Sequence, residues 1–123
     1  MDKIDDLKRK RKKAHKRFQD LQSSVYAAFL TMGQATYSDG ALAKKYKELV
    51  AIGISVVINC ESCMEWHIDQ AAQAGATEQE VLEAIEVGIE MGGGPATAYA
   101  RFALEVMERV FHPTQNTPHE AAV

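Results

Sequence analysis

The stretch ELVAIGISVVINCESCMEWH, residues 48–67, decides how this chain can fold. Its first half, residues 49–58, is an uncharged apolar run that suits either a buried helix or a buried strand. We expect a helix, because the run extends a polar segment to more than a dozen residues and no strand partner occurs elsewhere. A helix that is apolar all round is expected to be buried on every side. Residues 42–58 are therefore the predicted third helix of an all-α protein.

The second half of the stretch predicts a helix that contains the two cysteines of the chain. Asn59 is a plausible turn residue, and we expect Cys60 to begin a helix that runs to Ala74 and stops at Gly75. The other predicted helices cover residues 3–20, residues 25–32 with an end near Gly33, a segment after the Thr77–Glu80 capping box, and a segment from Pro95 to residue 112.

Composition predicts one globular domain. With 123 residues, 46% hydrophobic and 25% charged, the chain is long enough to bury a core of its own. Its first residues lack the apolar region of a signal peptide, and its longest apolar run is about half of a membrane span. We therefore expect a cytoplasmic protein without a membrane partner. In that reducing compartment, a close cysteine pair is more often catalytic or metal-binding than structural.

Charge is distributed unevenly along the chain. The first 17 residues hold nine of the 14 basic residues, whereas residues 18–123 hold 5 basic and 14 acidic residues, a net charge of −9. A basic arm of this kind can contact nucleic acid, but no aromatic or glycine-rich RNA-binding pattern accompanies it. We interpret residues 1–21 as a solvated helical arm and expect no nucleic-acid partner. Residues 22–111 are the predicted domain, and residues 112–123 a frayed tail.

The cysteines and a histidine form a candidate redox site. His67 follows Cys63 by one helical turn, so the two side chains lie on one face, and Cys60 lies one turn before Cys63. An imidazole that takes the thiol proton favours the reactive thiolate, as do the N–H groups of a first helical turn. The pair can also close into a disulfide, so that one cysteine attacks and the other resolves.

We expect the other histidines to be solvated; they are His15, His112 and His119.

Glu48 is the candidate partner of His67. If the helices on either side of Asn59 are antiparallel, Glu48 lies roughly 16 Å back along one and His67 roughly 12 Å along the other. The two side chains then lie near the same level, where a carboxylate orients the imidazole. The predicted relay runs from Glu48 through His67 to Cys63.

The spacing Glu-x11-Cys-x2-Cys-x3-His, followed by a glycine break at residues 91–94, resembles the AhpD-like alkylhydroperoxidase branch of the carboxymuconolactone decarboxylase family. The resemblance covers about residues 22–108. It implies a subunit of about six helices in a homo-oligomer, commonly a trimer or hexamer. It also implies reduction of hydroperoxides or disulfides without a bound cofactor, with recycling by a dithiol reductant of the lipoyl or thioredoxin type.

The resemblance also implies a role for each site residue. Cys63 is the expected attacking thiolate, Cys60 the resolving thiol, and His67 and Glu48 the proton relay. Ser62 stands where the peroxidase archetype has a further histidine, and this chain is the shorter form.

Three other interpretations use the same residues. Cys60, Cys63 and His67, with Glu48 or water, can supply four zinc ligands, although we predict no metal. A lyase can use His67 and Glu48 as acid and base. A non-catalytic oligomeric module would leave the thiols unreactive.

Overall fold

The computed structural model describes residues 2–116, which contain six α-helices and no β-strand. This confirms the all-α prediction. None of the described helices is long and apolar enough to cross a lipid bilayer. The remainder of the predicted tail, residues 117–123 with His119, lies outside the described part. The helices are α1 Lys3–Asp20, α2 Ser24–Thr36, α3 Lys44–Val57, α4 Glu61–Gln73, α5 Glu78–Gly92 and α6 Gly94–Phe111, followed by a 3₁₀ helix Pro113–Asn116.

The chain divides into two compact units, one that ends at Asp39 and one that begins at Gly40. In the first unit, Tyr26 of α2 stacks on Phe18 of α1 with ring centroids 4.3 Å apart. The Tyr26 hydroxyl lies 2.6 Å from Nδ1 of His15, so the expectation that His15 is solvated is wrong. Helix α2 also continues through Gly33 to Thr36, because a glycine with helical neighbours weakens a helix without ending it.

The second unit is built around α3, which packs mainly against α4 and α5, while α6 packs against the same two helices. Its interior is mainly aliphatic, and it also encloses the polar side chains of Glu48, Ser55 and Glu65. The fully buried larger side chains are Ile52, Val56, Met64, Ile68, Val81, Ile85 and Val106. These residues recur at helical spacing on each helix, which is why the sequence pattern predicts the helices correctly.

Two glycines allow α3 and α5 to approach each other closely. A Cβ added at Gly88 would lie 2.7 Å from the Gly53 carbonyl oxygen and 2.9 Å from Cβ of Val56. A Cβ at Gly53 would lie 3.2 Å from the Ala84 carbonyl oxygen. The backbones therefore meet at a point where a side chain on α5 has no room.

The prediction that the apolar run is buried on every side is wrong for the single chain. One face of α3 lies in the core through Ile52, Ser55 and Val56, and the opposite face is exposed. Val50, Ile54 and Ile58 on that opposite face are 56%, 54% and 62% exposed. We call these three residues the α3 stripe.

The predicted capping box starts α5 as expected. Oγ1 of Thr77 accepts a hydrogen bond from the Glu80 N–H, and the Thr77 N–H donates to the Glu80 carboxylate. Glu80 also pairs with Nζ of Lys45 on α3, at 3.1 Å. The hydrogen bond from the Thr77 backbone, and then the Lys45 ammonium, hold the pKa of Glu80 below its ordinary value. The same ion pair raises the pKa of Lys45.

Candidate active site

A three-residue connection between α3 and α4 positions the site. Asn59 takes a left-handed conformation with φ of 54°, which asparagine tolerates better than most residues. The Cys60 N–H then donates to the Ser55 carbonyl oxygen at 3.0 Å, which anchors the start of α4 on the last turn of α3. The two helices are consecutive, joined by a tight turn, and packed together.

Cys60 and Cys63 form a disulfide at the beginning of α4. Cys60 was predicted to begin this helix, and it is the N-cap residue, one position before the first helical residue, Glu61. Its Sγ accepts a hydrogen bond from the Cys63 N–H at 3.2 Å. Both residues are half-buried. The N–H groups of a first helical turn stabilise negative charge, so the pair lies where a thiolate is favoured after reduction.

The antiparallel alignment expected for Glu48 and His67 is confirmed. Nδ1 of His67 lies 2.6 Å from Oε1 of Glu48, and the second carboxylate oxygen, Oε2, accepts from Nζ of Lys44 at 2.7 Å. Glu48 is buried, with its side chain 1% exposed, while His67 and Lys44 are 15% and 37% exposed. The result is a continuous series of contacts from Lys44 near the surface, through buried Glu48, to His67.

This arrangement combines two chemical capabilities on one helix pair. The disulfide can accept two electrons and return to a dithiol. An imidazole held by a carboxylate can take up or deliver a proton. In the disulfide form the two sulfurs are bonded to each other, so they do not act as thiolate ligands of the zinc alternative.

Sequence reasoning missed two charged residues in this region. Lys44 lies four residues before Glu48, and that helical spacing of opposite charges was a usable signal. Glu65 of α4 is 1% exposed, and no sequence pattern marked it as buried. Among the described residues, no buried side-chain nitrogen or oxygen lacks a hydrogen-bond partner.

A second cluster of titratable groups lies at the far end of α6. Nε2 of His112 is 2.5 Å from Oε2 of Glu78, and Glu108 offers a third ligand atom, all within 4.8 Å of one another. The expectation that His112 is solvated is therefore wrong, because its ring is held by Glu78. The hydrogen bond joins the first residue of α5 to the residue that caps α6, which gives it a structural role.

Comparison with known proteins agrees with this fold. The sequence model of the carboxymuconolactone decarboxylase family matches residues 23–106. An uncharacterized protein encoded in the cox locus of Paracoccus denitrificans is 39% identical over 88 residues, which are 72% of this chain and 79% of that protein. An uncharacterized protein of Cupriavidus necator is 35% identical over 102 residues, covering 80% and 90% of the two chains.

A solved structure extends the comparison to three dimensions. The apo form of a carboxymuconolactone decarboxylase family protein from Legionella pneumophila superimposes with a TM-score of 0.83 at 33% identity. The superposition covers 89% of this chain and 98% of the Legionella chain. Fold and site thus define an all-helical protein with a cysteine pair at a helix start. This chain belongs to the carboxymuconolactone decarboxylase family.

Proposed function

We propose that this protein is a thiol-dependent antioxidant enzyme of the AhpD-like branch of its family. It reduces hydroperoxides or disulfides through Cys60 and Cys63, with Glu48 and His67 as its proton relay. One observation carries the proposal: the helix that begins at the Cys60–Cys63 disulfide also presents His67, whose Nδ1 is held by a buried carboxylate. A dithiol beside a positioned base is what thiol-based reduction requires.

The proposed peroxide half-reaction uses Cys63 as nucleophile, as the family resemblance implies. His67 takes the Cys63 proton, and the thiolate attacks one peroxide oxygen, so the O–O bond breaks. The alkoxide that leaves receives a proton from His67 and departs as an alcohol. Cys63 is then a sulfenic acid, and the Cys60 sulfur displaces its hydroxyl group as water. The product is the Cys60–Cys63 disulfide, the form described here.

A dithiol partner restores the enzyme by two thiol–disulfide exchanges. One thiolate of the reductant attacks the disulfide, and its second thiol then releases the enzyme as a dithiol while the reductant becomes a disulfide. A lipoyl-type or thioredoxin-type reductant has the required pair of thiols. The sum is one hydroperoxide and one dithiol converted to one alcohol, one water and one disulfide.

The direct test is turnover with defined reagents. Reduced protein is mixed with cumene hydroperoxide or oxidised glutathione, with dihydrolipoamide as reductant, and loss of each substrate is followed. We expect turnover by the wild type and none by Cys63→Ser. The lyase alternative predicts an activity that survives loss of both cysteines, because it uses only His67 and Glu48. Lactone decarboxylation by the Cys60→Ser/Cys63→Ser protein, with no peroxide or disulfide turnover by the wild type, would replace our proposal with the lyase.

We also propose that the working form is a homo-oligomer, a trimer or hexamer as in the family branch. The support is the exposed α3 stripe, because contiguous apolar surface on a folded chain commonly marks an interface. On α5, Val87 and Met91 are also exposed, at 62% and 72%. A second copy of the chain would remove this apolar surface from water.

A further inference from the structure

We propose that Lys44 is a positioning residue of the site, which keeps the His67 imidazole neutral with its proton on Nδ1 and its lone pair on Nε2. This proposal rests on the proposed function, because it explains how the imidazole stays able to accept a thiol proton. It names a residue outside the cysteine, histidine and glutamate set that the sequence motif supplies.

The first step is the charge balance around Glu48. A carboxylate that is only 1% exposed is costly unless a cation or strong donors surround it. Lys44 provides a full positive charge at 2.7 Å from Oε2, through an i,i+4 pair on α3. The carboxylate therefore has its counterion before His67 is considered.

The second step is the proton on His67. An ionised carboxylate can only accept hydrogen bonds, so the 2.6 Å contact requires Nδ1 of His67 to donate. Because the Lys44 ammonium already pairs with Glu48, the carboxylate stabilises a second positive charge on the imidazole less than it would without Lys44. The neutral ring is favoured, and its Nε2 then carries the lone pair.

The third step is what happens without the ammonium. If Lys44 is replaced by an uncharged residue, Glu48 has two ways to remove the unbalanced charge. In the first, it favours protonation of the imidazole and pairs with the imidazolium. In the second, the carboxylate itself becomes protonated, and its O–H donates a hydrogen bond to Nδ1. Both outcomes put a hydrogen on Nε2. Either way His67 can no longer accept a proton from a thiol.

Lys44 matches this role better than the neighbouring lysines. Lys45 pairs with Glu80 and so supports the start of α5. Lys47 approaches the unit's first residue, since its Nζ would lie 3.7 Å from a Cβ at Gly40. Three lysines within four positions of one helix thus have different surroundings, which supplies a matched control.

The test reads the protonation of the His67 nitrogens by ¹⁵N-edited NMR, at pH 7, in the disulfide form, which contains no thiol to exchange a proton with the ring. We expect an unprotonated Nε2 in the wild type and in Lys47→Met, and a protonated Nε2 in Lys44→Met. Lys44→Arg retains the positive charge and should restore the wild-type pattern. In the reduced protein, alkylation of Cys63 at pH 7 should be slower by about tenfold or more in Lys44→Met and close to wild type in Lys44→Arg, because a protonated Nε2 cannot accept the thiol proton.

An unprotonated Nε2 in Lys44→Met would overturn the proposal. Equal slowing of the reaction in Lys44→Met and Lys47→Met would overturn it as well. If Lys44→Met does not fold, the wild type alone still decides: a protonated Nε2 at pH 7 contradicts the assignment. Failure of the proposed function is a separate result. It would appear as absence of peroxide and disulfide turnover in the wild type, whatever the state of His67.

Discussion

Nδ1 of His67 lies 2.6 Å from Oε1 of Glu48, across the turn that joins α3 to α4. The two residues are 19 positions apart in the sequence, and the contact exists only because the two helices are antiparallel neighbours. The same turn holds Cys60 at the start of α4 through its hydrogen bond to Ser55. One local structure therefore positions both the disulfide and the Glu48–His67 contact.

Replacing Glu48 with glutamine should make the Cys63 thiol less reactive while leaving the fold unchanged. An amide orients the imidazole less strictly than a carboxylate and does not stabilise its protonated form. We expect the alkylation of Cys63 in the reduced protein, followed by mass spectrometry, to slow by about 10- to 100-fold at pH 7. Glu65→Gln is the matched control, because Glu65 is equally buried on the same helix pair. Equal slowing in both variants would contradict a specific relay.

The two cysteines should differ when each is left alone. After one equivalent of hydroperoxide, Cys60→Ser should retain a sulfenic acid on Cys63 that dimedone traps, because its resolving partner is missing. Cys63→Ser should give little or no adduct on Cys60. If the adduct forms faster on Cys60 in Cys63→Ser than on Cys63 in Cys60→Ser, Cys60 is the attacking cysteine and Cys63 the resolving one.

Much of the fold was predictable because helical periodicity and caps are local signals. The Thr77–Glu80 capping box and the stop at Gly75, with φ of 96°, appear in the structure where the sequence puts them. The pairing of Glu48 with His67 followed from helix rise and one turn residue. These features depend on neighbours within a few turns of helix, so a single sequence contains enough information to infer them.

The exposure of α3 was not predictable in the same way. The run at residues 49–58 is apolar on every face, and periodicity cannot distinguish a face that meets the core from a face that meets another chain. Lys44 escaped notice for a different reason. Its spacing from Glu48 is visible in the sequence, but the burial of Glu48 is a property of the folded unit and not of the helix alone.

The close contact between α3 and α5 predicts a large effect of one methyl group. Gly88→Ala places a Cβ 2.7 Å from the Gly53 carbonyl oxygen, so the helices must separate. We expect a loss of about 1–3 kcal/mol in the free energy of unfolding, measured by urea denaturation. Gly33→Ala, in a helix position with nothing within 4 Å, should instead stabilise by about 0.5–1 kcal/mol. A neutral result for Gly88→Ala would contradict the close packing.

The capping box predicts a pH dependence of stability. The pKa of Glu80 is lowered in the folded protein, chiefly by the Thr77 backbone hydrogen bond and then by Lys45. A lowered pKa of an acid contributes stability that is complete above the unfolded-state pKa and is lost as the pH falls through the folded-state value. Glu80→Gln should therefore melt below wild type at pH 7, and the gap should narrow toward about pH 3. Glu86→Gln, exposed on the same helix, should show no such trend.

The α3 stripe predicts the assembly state. Ile54 is 54% exposed at its centre, so a charge there would lie within any interface formed by this face. We expect light scattering to give a trimer or hexamer for the wild type and a smaller species for Ile54→Glu, because burying an unpaired carboxylate is unfavourable. Ile54→Leu keeps the apolar area and should assemble normally. If Ile54→Glu retains the wild-type mass, the stripe is not the contact surface.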